Sequence, residues 1–185
     1  KPPSKICLAE FENEKQIWDK NYWDKWYTEL DKHEIPIHKT ANDHIEAGSV
    51  PVKTKDGWIL VFSYIQDYFS DKRIFRIDAC LLDTNNPQKL IGQTVDPILT
   101  PEESYEIYGM VPNVIFPTGT LIEEGQFFIY YSACDTSICR ISVTLIDLLD
   151  ELKHNPNVNP EKKKSELMAR FDKNPIISPK SNNSW

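Results

Sequence analysis

Two titratable side chains stand where a polar loop leads into an apolar stretch. His44 and Glu46 lie in the segment 43–52. Because side chains alternate along an extended chain, these two face the same side. A carboxylate beside an imidazole is a candidate acid-base pair, although a surface ion pair explains the same pattern.

A third candidate is an aspartate inside an apolar run. Asp78 stands within Ile74–Leu82, which otherwise reads as a buried strand. A carboxylate at such a position must be paired or functional, because a buried unpaired charge is costly.

Short apolar runs closed by Pro, Gly or acidic residues must position these groups. Three such runs occupy Tyr105–Arg140, which indicates an antiparallel meander rather than a helix. The run Phe127–Tyr131 shows no alternation, so we expect that strand to be covered on both faces.

A Val-Pro pair followed by an apolar strand that begins at glycine occurs twice in the sequence. Val50-Pro51 precedes the strand that begins at Gly57-Trp58 much as Val111-Pro112 precedes the strand that begins at Gly125. Repeats of a small-sheet unit are typical of propellers and solenoids, in which no unit buries its faces alone.

Two helices are expected beside these strands. Glu14–Leu30 carries aromatic residues at near-helical spacing, which indicates either a helix that docks its aromatic stripe on the sheets or a platform for sugar rings. Thr144 can cap a second helix that runs through Leu152, with Asp147 in a variant capping box and Pro156 ending it.

Composition limits the class of protein. The chain has 185 residues, 40% of them hydrophobic and 26% charged, and a formal charge of −7. We expect a cytoplasmic globular protein that binds no nucleic acid and no membrane, since no apolar run approaches about 20 residues and no signal peptide is evident. No metal or cofactor is expected, and we interpret the cysteines as reduced and structural: Cys7, Cys80, Cys134 and Cys139.

The polar stretch Asn155–Lys164, which contains Pro and Lys, is the one clear domain boundary in the sequence. We predict a domain at 1–154, a linker at 155–168, and at 169–185 the possible start of a second, truncated propeller domain.

Several ordered motifs carry a resemblance to a known family. They are Gly48–Phe62, Ala79–Thr94, Asp96–Glu102, Val111–Gly119 and Phe128–Thr136. Together they resemble the C-terminal half of glycoside hydrolase family 130, which contains β-mannoside phosphorylases and β-mannosidases. The resemblance implies an all-β fold, namely part of a five-bladed β-propeller with four-stranded antiparallel blades, an inserted N-terminal helix and a helix after the last blade.

The departures from the family pattern bear on the reaction. Phosphorylases of the family carry a Lys-Ile-Gly phrase where this chain has His44-Ile-Glu46, and a Tyr-His-Gly phrase where it has Phe62-Ser-Tyr64. Phosphate binding needs cations or clustered donors, whereas an inverting hydrolase needs a carboxylate that activates water. The resemblance therefore implies a β-mannoside hydrolase with Glu46 as base. A phosphorylase and a non-catalytic carbohydrate-binding propeller remain the alternatives.

The resemblance also implies a set of sugar-binding residues. Asp135 matches an aspartate associated with the sugar, although a turn aspartate that bonds nearby amides explains it equally. His44, Tyr64 and Asp78 complete the predicted set of substrate contacts. The family's general-acid aspartate belongs to an Asp-Pro-Arg phrase that this sequence does not contain. We therefore expect a fragment that is inactive without the missing propeller blades in cis.

Overall fold

The computed structural model describes residues 4–154 and 167–179. Strands dominate these two ranges. The helical segments are a 3-10 turn at Glu14–Trp18, α1 at Lys20–Thr28, a second 3-10 turn at Leu30–His33, α2 at Ser104–Ile107 and α3 at Leu145–His154. The strands are β1 at His44–Ala47, β2 at Val52–Lys53, β3 at Trp58–Gln66, β4 at Ile74–Leu82, β5 at Leu90–Gln93, β6 at Ile115–Glu123, β7 at Gln126–Ala133, β8 at Ser137–Thr144 and β9 at Ala169–Arg170.

The strands form two antiparallel sheets. The first has the order β1-β3-β4-β5, with the short β2 also paired to β3, and the second has the order β6-β7-β8-β9. Gly57 (φ 145°) precedes β3 and Gly125 (φ 77°) precedes β7, and both backbones occupy a region that favours glycine. The two sequence repeats are therefore two Gly-turn hairpins, and the prediction of a mainly β protein with antiparallel sheets and few helices is confirmed.

The main core lies between the two sheets. Ile59 and Ile77 of the first sheet belong to one buried cluster with Phe127 and Tyr131 of the second, and Leu148 of α3 joins the same cluster. The opposite face of the first sheet is also covered, because residues of the N-terminal segment pack against it. Strand β3 is consequently buried on both faces along nearly its whole length.

Strand β7 differs from its prediction, since its residues alternate between buried and half-buried. Phe127 is fully buried, but Phe128 faces the outer side of the second sheet. That side is covered only in part, by contacts such as the Arg140 guanidinium 4.9 Å from the Phe128 ring centre. The expectation that both faces of β7 are covered is therefore wrong.

The N-terminal helix is shorter than predicted and packs elsewhere. Asp19 ends the first 3-10 turn and its side chain accepts a hydrogen bond from the Asn21 amide, so that α1 starts anew at Lys20. No residue of α1 is buried. Its rings contact one another and the N-terminal strand-like segment, as where the Trp26 indole donates to the Leu8 carbonyl at 3.1 Å. The aromatic stripe is therefore not docked on the sheets.

Helix α3 begins as the capping pattern predicts. The Thr144 hydroxyl accepts a hydrogen bond from the Asp147 amide at 3.3 Å and donates to the Asp147 carboxylate. Thr144 thereby satisfies one of the free amides at the start of the helix.

The segment beyond the linker joins the second sheet. Most of the predicted linker lies outside the described residues, but β9 pairs with β8 in the register Ile141 to Arg170 and Ser142 to Ala169. A further bridge joins Ile138 to Ile177. Ala169 and Arg170 are therefore the last strand of the second sheet, and the start of a second propeller domain at 169–185 stays a prediction.

A buried ion pair fastens β9 to α2. Arg170 donates from Nε to Glu106 Oε1 at 3.0 Å and from Nη2 to Glu106 Oε2 at 2.8 Å. The Tyr131 hydroxyl donates to Glu106 Oε1 at 2.7 Å. Burial alone would raise the pKa of the fully buried Glu106 carboxyl, but the hydrogen bonds from Arg170, Tyr131 and two backbone amides outweigh it and hold that pKa below its ordinary value.

The four cysteines are free thiols, three of them buried. Burial raises the pKa of Cys139 to about 12, which leaves this thiol protonated and unreactive at neutral pH. In the described ranges, no helix is both long enough and apolar enough to cross a bilayer.

Candidate functional site

The first strand presents the predicted pair to the space between the sheets. In the antiparallel ladder, Glu46 lies opposite Ser63 and His44 opposite Ile65. Directly paired residues share a face of the sheet. Glu46 and His44 therefore project from the face of β1 that turns toward the second sheet.

Glu46 lines a cavity of about 600 Å³, called here the Glu46 cavity. On one side stand Tyr68, Asp71 and Arg73 from the turn between β3 and β4, and on the other the segment 111–114 that leads into β6. The Glu46 side chain is 41% exposed and lines the cavity, so it is accessible to a ligand.

His44 is held beside this carboxylate. Its Nε2 lies 3.4 Å from Glu46 Oε1, and its ring stacks on Tyr68 with centres 4.1 Å apart and planes inclined by 15°. The stack fixes the plane of the imidazole, and a protonated ring would make the contact with Glu46 an ion pair. The geometry suits an imidazole that orients either Glu46 or a bound hydroxyl group.

Tyr64 lies on the opposite face of the same sheet. It is 1% exposed, and its hydroxyl donates to the Asp43 carboxylate. Burial, together with the neighbouring Asp43 charge, raises the pKa of Tyr64 far above its ordinary value. The Tyr64 hydroxyl therefore bonds to Asp43 on the face opposite Glu46, and Tyr64 does not line the Glu46 cavity.

Asp78 is also separated from Glu46. It is fully buried in the middle of β4, opposite Phe62, and so shares the face on which Tyr64 lies. The sequence located a carboxylate inside an apolar strand correctly, but the structure places it on the other side of the sheet from the Glu46 cavity.

Asp135 occupies the turn between β7 and β8. It is exposed and has a left-handed backbone with φ 52°, next to Cys134 with φ 51°. Asp is one of the few residue types besides glycine that adopt this conformation readily. The structure agrees with the alternative of a turn residue, and a contact of Asp135 with the sugar stays a prediction.

A group of cations beside Glu46 was not predicted from the sequence. A second cavity of about 410 Å³, called here the cationic cavity, is lined by Lys72, Arg73 and Arg76. It shares Asp71, Arg73 and Asn113 with the Glu46 cavity. The run Asp71-Lys72-Arg73 between two apolar strands was the available signal, although such a run usually marks only a solvated turn.

Neither cavity contains a metal-ligand cluster. Within residues 4–154 and 167–179, no group of three or more His, Cys, Asp or Glu side chains is arranged to hold a metal ion.

Comparison with known proteins assigns the family. The family model for glycoside hydrolase family 130, described as beta-1,4-mannooligosaccharide phosphorylase, matches residues 4–154. This chain belongs to glycoside hydrolase family 130. The matched range contains both cavities and every residue predicted for the site.

Relatives within glycoside hydrolase family 130 have named activities. The chain is 36% identical over 116 residues to a 1,2-beta-oligomannan phosphorylase of Thermoanaerobacter sp. (strain X514), a match that covers 62% of this chain and 37% of the relative. It is 30% identical over 125 residues to a beta-1,4-mannooligosaccharide phosphorylase of Ruminococcus albus, covering 66% and 37%.

A solved structure of this family is similar as well. The beta-1,2-mannobiose phosphorylase of Listeria innocua, in complex with beta-1,2-mannobiose, superposes with a TM-score of 0.55 at 28% identity. The match covers 60% of this chain and 31% of that one. The chain therefore spans about a third of the length of these family 130 relatives.

Proposed function

We propose that this chain supplies part of the active site of an enzyme that acts on β-mannosides, with Glu46 as the base that activates water for inverting hydrolysis. The observation that carries the proposal is the Glu46 carboxylate, which opens into a cavity of about 600 Å³ between the two sheets. Family membership supplies the substrate class, since the named relatives act on β-linked mannosides.

The two sheets are, in this proposal, two blades of a five-bladed propeller. Each is an antiparallel sheet. The first strand of one sheet, β1, contains Glu46, and the first strand of the other, β6, begins directly after the segment 111–114 that lines the Glu46 cavity. Residues outside this chain would contribute the remaining blades and the general acid. In an inverting enzyme the two carboxyl groups stand about 6.5–9.5 Å apart, which leaves room for the attacking water.

His44 acts as a positioning residue in this scheme. Its contact with Glu46 at 3.4 Å and its stack on Tyr68 restrict the carboxylate to the cavity side of β1. Tyr64 lies on the other face of the sheet, where its hydroxyl donates to Asp43 and ties β3 to the segment before β1, and Asp78 lies on that face as well.

Phosphorolysis is a second candidate that one observation favours. Arg73 lines the same cavity as Glu46, and a guanidinium there could hold a phosphate nucleophile in place of water. The named activities of the relatives point to the same reaction.

Substitution of the base tests the proposal. Glu46→Gln keeps the shape and removes the proton acceptor, so hydrolysis of a β-mannoside by the complete enzyme should fall by about 10²–10⁴ while saccharide binding remains. Glu123→Gln, which changes an exposed carboxylate at the far end of β6, is the matched control. Turnover is measured with and without added phosphate.

Two results would contradict the hydrolytic mechanism. Unchanged hydrolysis in Glu46→Gln would remove Glu46 from the reaction. Formation of mannose 1-phosphate, with turnover that depends on phosphate, would establish phosphorolysis instead.

A further inference from the structure

The cationic cavity has more positive charge than its surroundings balance. Three of the residues that line it are cations and one, Asp71, is a carboxylate, although the whole chain carries a formal charge of −7. Lys72 and Arg73 are exposed in the turn between β3 and β4, whereas Arg76 is buried in β4. A local excess of cations in an acidic protein indicates attraction for an anion.

Arg76 is the most unusual of the three cations. It is 5% exposed, its guanidinium lies 4.6 Å from the centre of the Tyr64 ring, and its Nε is buried without a hydrogen-bond partner. Within the two described ranges, no carboxylate forms an ion pair with it. A buried guanidinium left in this way is costly unless an anionic group pairs with it.

Asp43 interacts electrostatically with Arg76, but the hydrogen bonds of its carboxylate come from other donors. The Asp43 carboxylate accepts hydrogen bonds from the Tyr64 hydroxyl, from the Thr40 hydroxyl at 2.7 Å and from the Asp67 amide at 2.9 Å. Three donors leave this carboxylate little capacity for a further one, so Arg76 keeps its donors for another group.

We propose that the cationic cavity binds an oxyanion carried by the saccharide, either a carboxylate or a phosphate ester, next to the sugar that the Glu46 cavity holds. This inference rests on the proposed function, because it assumes a saccharide in the Glu46 cavity. The two cavities share Arg73 and Asn113 at the end of the sheet where the turn between β3 and β4 lies. Arg76 pairs with Tyr64 and projects from the face opposite Glu46, so a ligand extends from one cavity into the other around this end of the sheet. Guanidinium groups pair with carboxylate and phosphate through two parallel hydrogen bonds.

The size and remaining lining of the cavity favour a sugar-borne anion over a free ion. Its volume of about 410 Å³ is in the range of sites for whole small molecules. Gln66, Thr100 and Asn113 also line it, and their side chains can exchange hydrogen bonds with sugar hydroxyls. The arrangement therefore defines substrate specificity, with anionic β-mannosides preferred over neutral ones.

Calorimetric titration of the complete enzyme tests the inference, because this chain supplies only part of the site. The probes are methyl β-mannoside, mannuronate, mannose 6-phosphate and inorganic phosphate. The two anionic sugars should bind at least about tenfold more tightly than the neutral one, which corresponds to about 1.4 kcal/mol. Arg76→Gln should remove this preference and leave binding of the neutral sugar unchanged, because Arg76 does not line the Glu46 cavity. Arg73→Gln should weaken binding of the anionic sugars at least about tenfold more than binding of the neutral one.

Lys55→Gln is the matched control, because Lys55 is exposed in the turn before β3 and does not line the cavity. If Arg76→Gln fails to fold, the result for Arg73→Gln decides, since Arg73 is exposed and circular dichroism verifies the fold of its variant. Equal affinity for neutral and anionic sugars, or no binding of the anionic ones, would overturn the inference. Inorganic phosphate that binds as tightly as the anionic sugars would assign the cavity to a free ion and overturn it as well.

Failure of this inference can be told apart from failure of the proposed function. Turnover of a neutral β-mannoside that depends on Glu46, without any preference for anionic sugars, would refute the anion site alone. A preference for anionic sugars that survives in Glu46→Gln, with no loss of turnover in that variant, would refute the role of Glu46 alone.

Discussion

Replacement of Arg170 by methionine should destabilise the protein more than any surface charge change. Arg170 makes two hydrogen bonds to the buried Glu106 carboxylate, one to Glu102 at 3.2 Å and one to the Thr100 carbonyl at 3.0 Å. Methionine fills similar space without charge. It therefore leaves a carboxylate in the interior without its counter-ion.

The expected loss of stability depends on the hydrogen bonds that Glu106 keeps when Arg170 is replaced. Removing one partner of a buried ion pair costs about 3–5 kcal/mol. Glu106 would still accept from the Tyr131 hydroxyl at 2.7 Å and from the amides of Glu102 and Glu103 at 2.9 and 3.0 Å. These remaining donors place the expected loss at the lower end, about 3 kcal/mol in the free energy of unfolding.

Urea denaturation followed by tryptophan fluorescence measures this loss. The double variant Glu106→Leu with Arg170→Met should be less destabilised than the sum of the two single variants, by about 1–3 kcal/mol, because neither charge is then left alone. Lys20→Met breaks an ion pair with Asp24 on the exposed side of α1 and should leave the midpoint unchanged. A loss below about 1 kcal/mol in Arg170→Met would refute the argument.

The remaining predictions concern acid, packing and a close backbone approach. Because its folded pKa is lowered, Glu106 binds fewer protons in the folded state. The stabilisation that Glu106 provides is therefore complete above the ordinary pKa of about 4.5 and is lost as pH falls through the lower pKa of the folded state. The unfolding free energy of Glu106→Gln should therefore depend less on pH than that of the wild type in acid titrations. Phe127→Ala should cost about 3–5 kcal/mol in urea denaturation and Phe128→Ala about 1–2, since only Phe127 is fully buried; equal losses would contradict the assignment of faces. A Cβ at Gly92 would lie 1.7 Å from a carbonyl of α3, whereas one at Gly119 would meet nothing within 4 Å. Gly92→Ala should therefore lower the thermal midpoint strongly and Gly119→Ala hardly at all.

Local signals predicted most of the strands and the start of α3. Gly57 and Gly125 mark turns because their φ angles suit glycine, and the apolar runs after them are strands β3 and β7. Thr144 and Asp147 form their cap within three residues of each other, so the sequence contains the whole interaction. Glu46 was found because its partner His44 is two residues away and alternation along a strand is regular.

Interactions between distant residues were beyond sequence reasoning. Glu106 and Arg170 lie 64 positions apart, and neither has a local pattern that points to the other. The cationic cavity forms only when the turn after β3 approaches the segment before β6, which a single sequence does not reveal. Asp135 was predicted to bind the sugar from the family resemblance, which does not show that a tight turn places it at the surface.

The pairing of β9 with β8 matters to anyone who divides this chain into pieces for expression. The polar stretch after α3 looks like a safe place to stop, yet Glu106 meets its guanidinium only once residue 170 has been synthesised. A gene ended at residue 154 would encode a protein with an anion sealed in its interior and one sheet short of its last strand. Low yield and low solubility of such a truncated protein would result from the missing counter-ion of Glu106 and the missing strand β9.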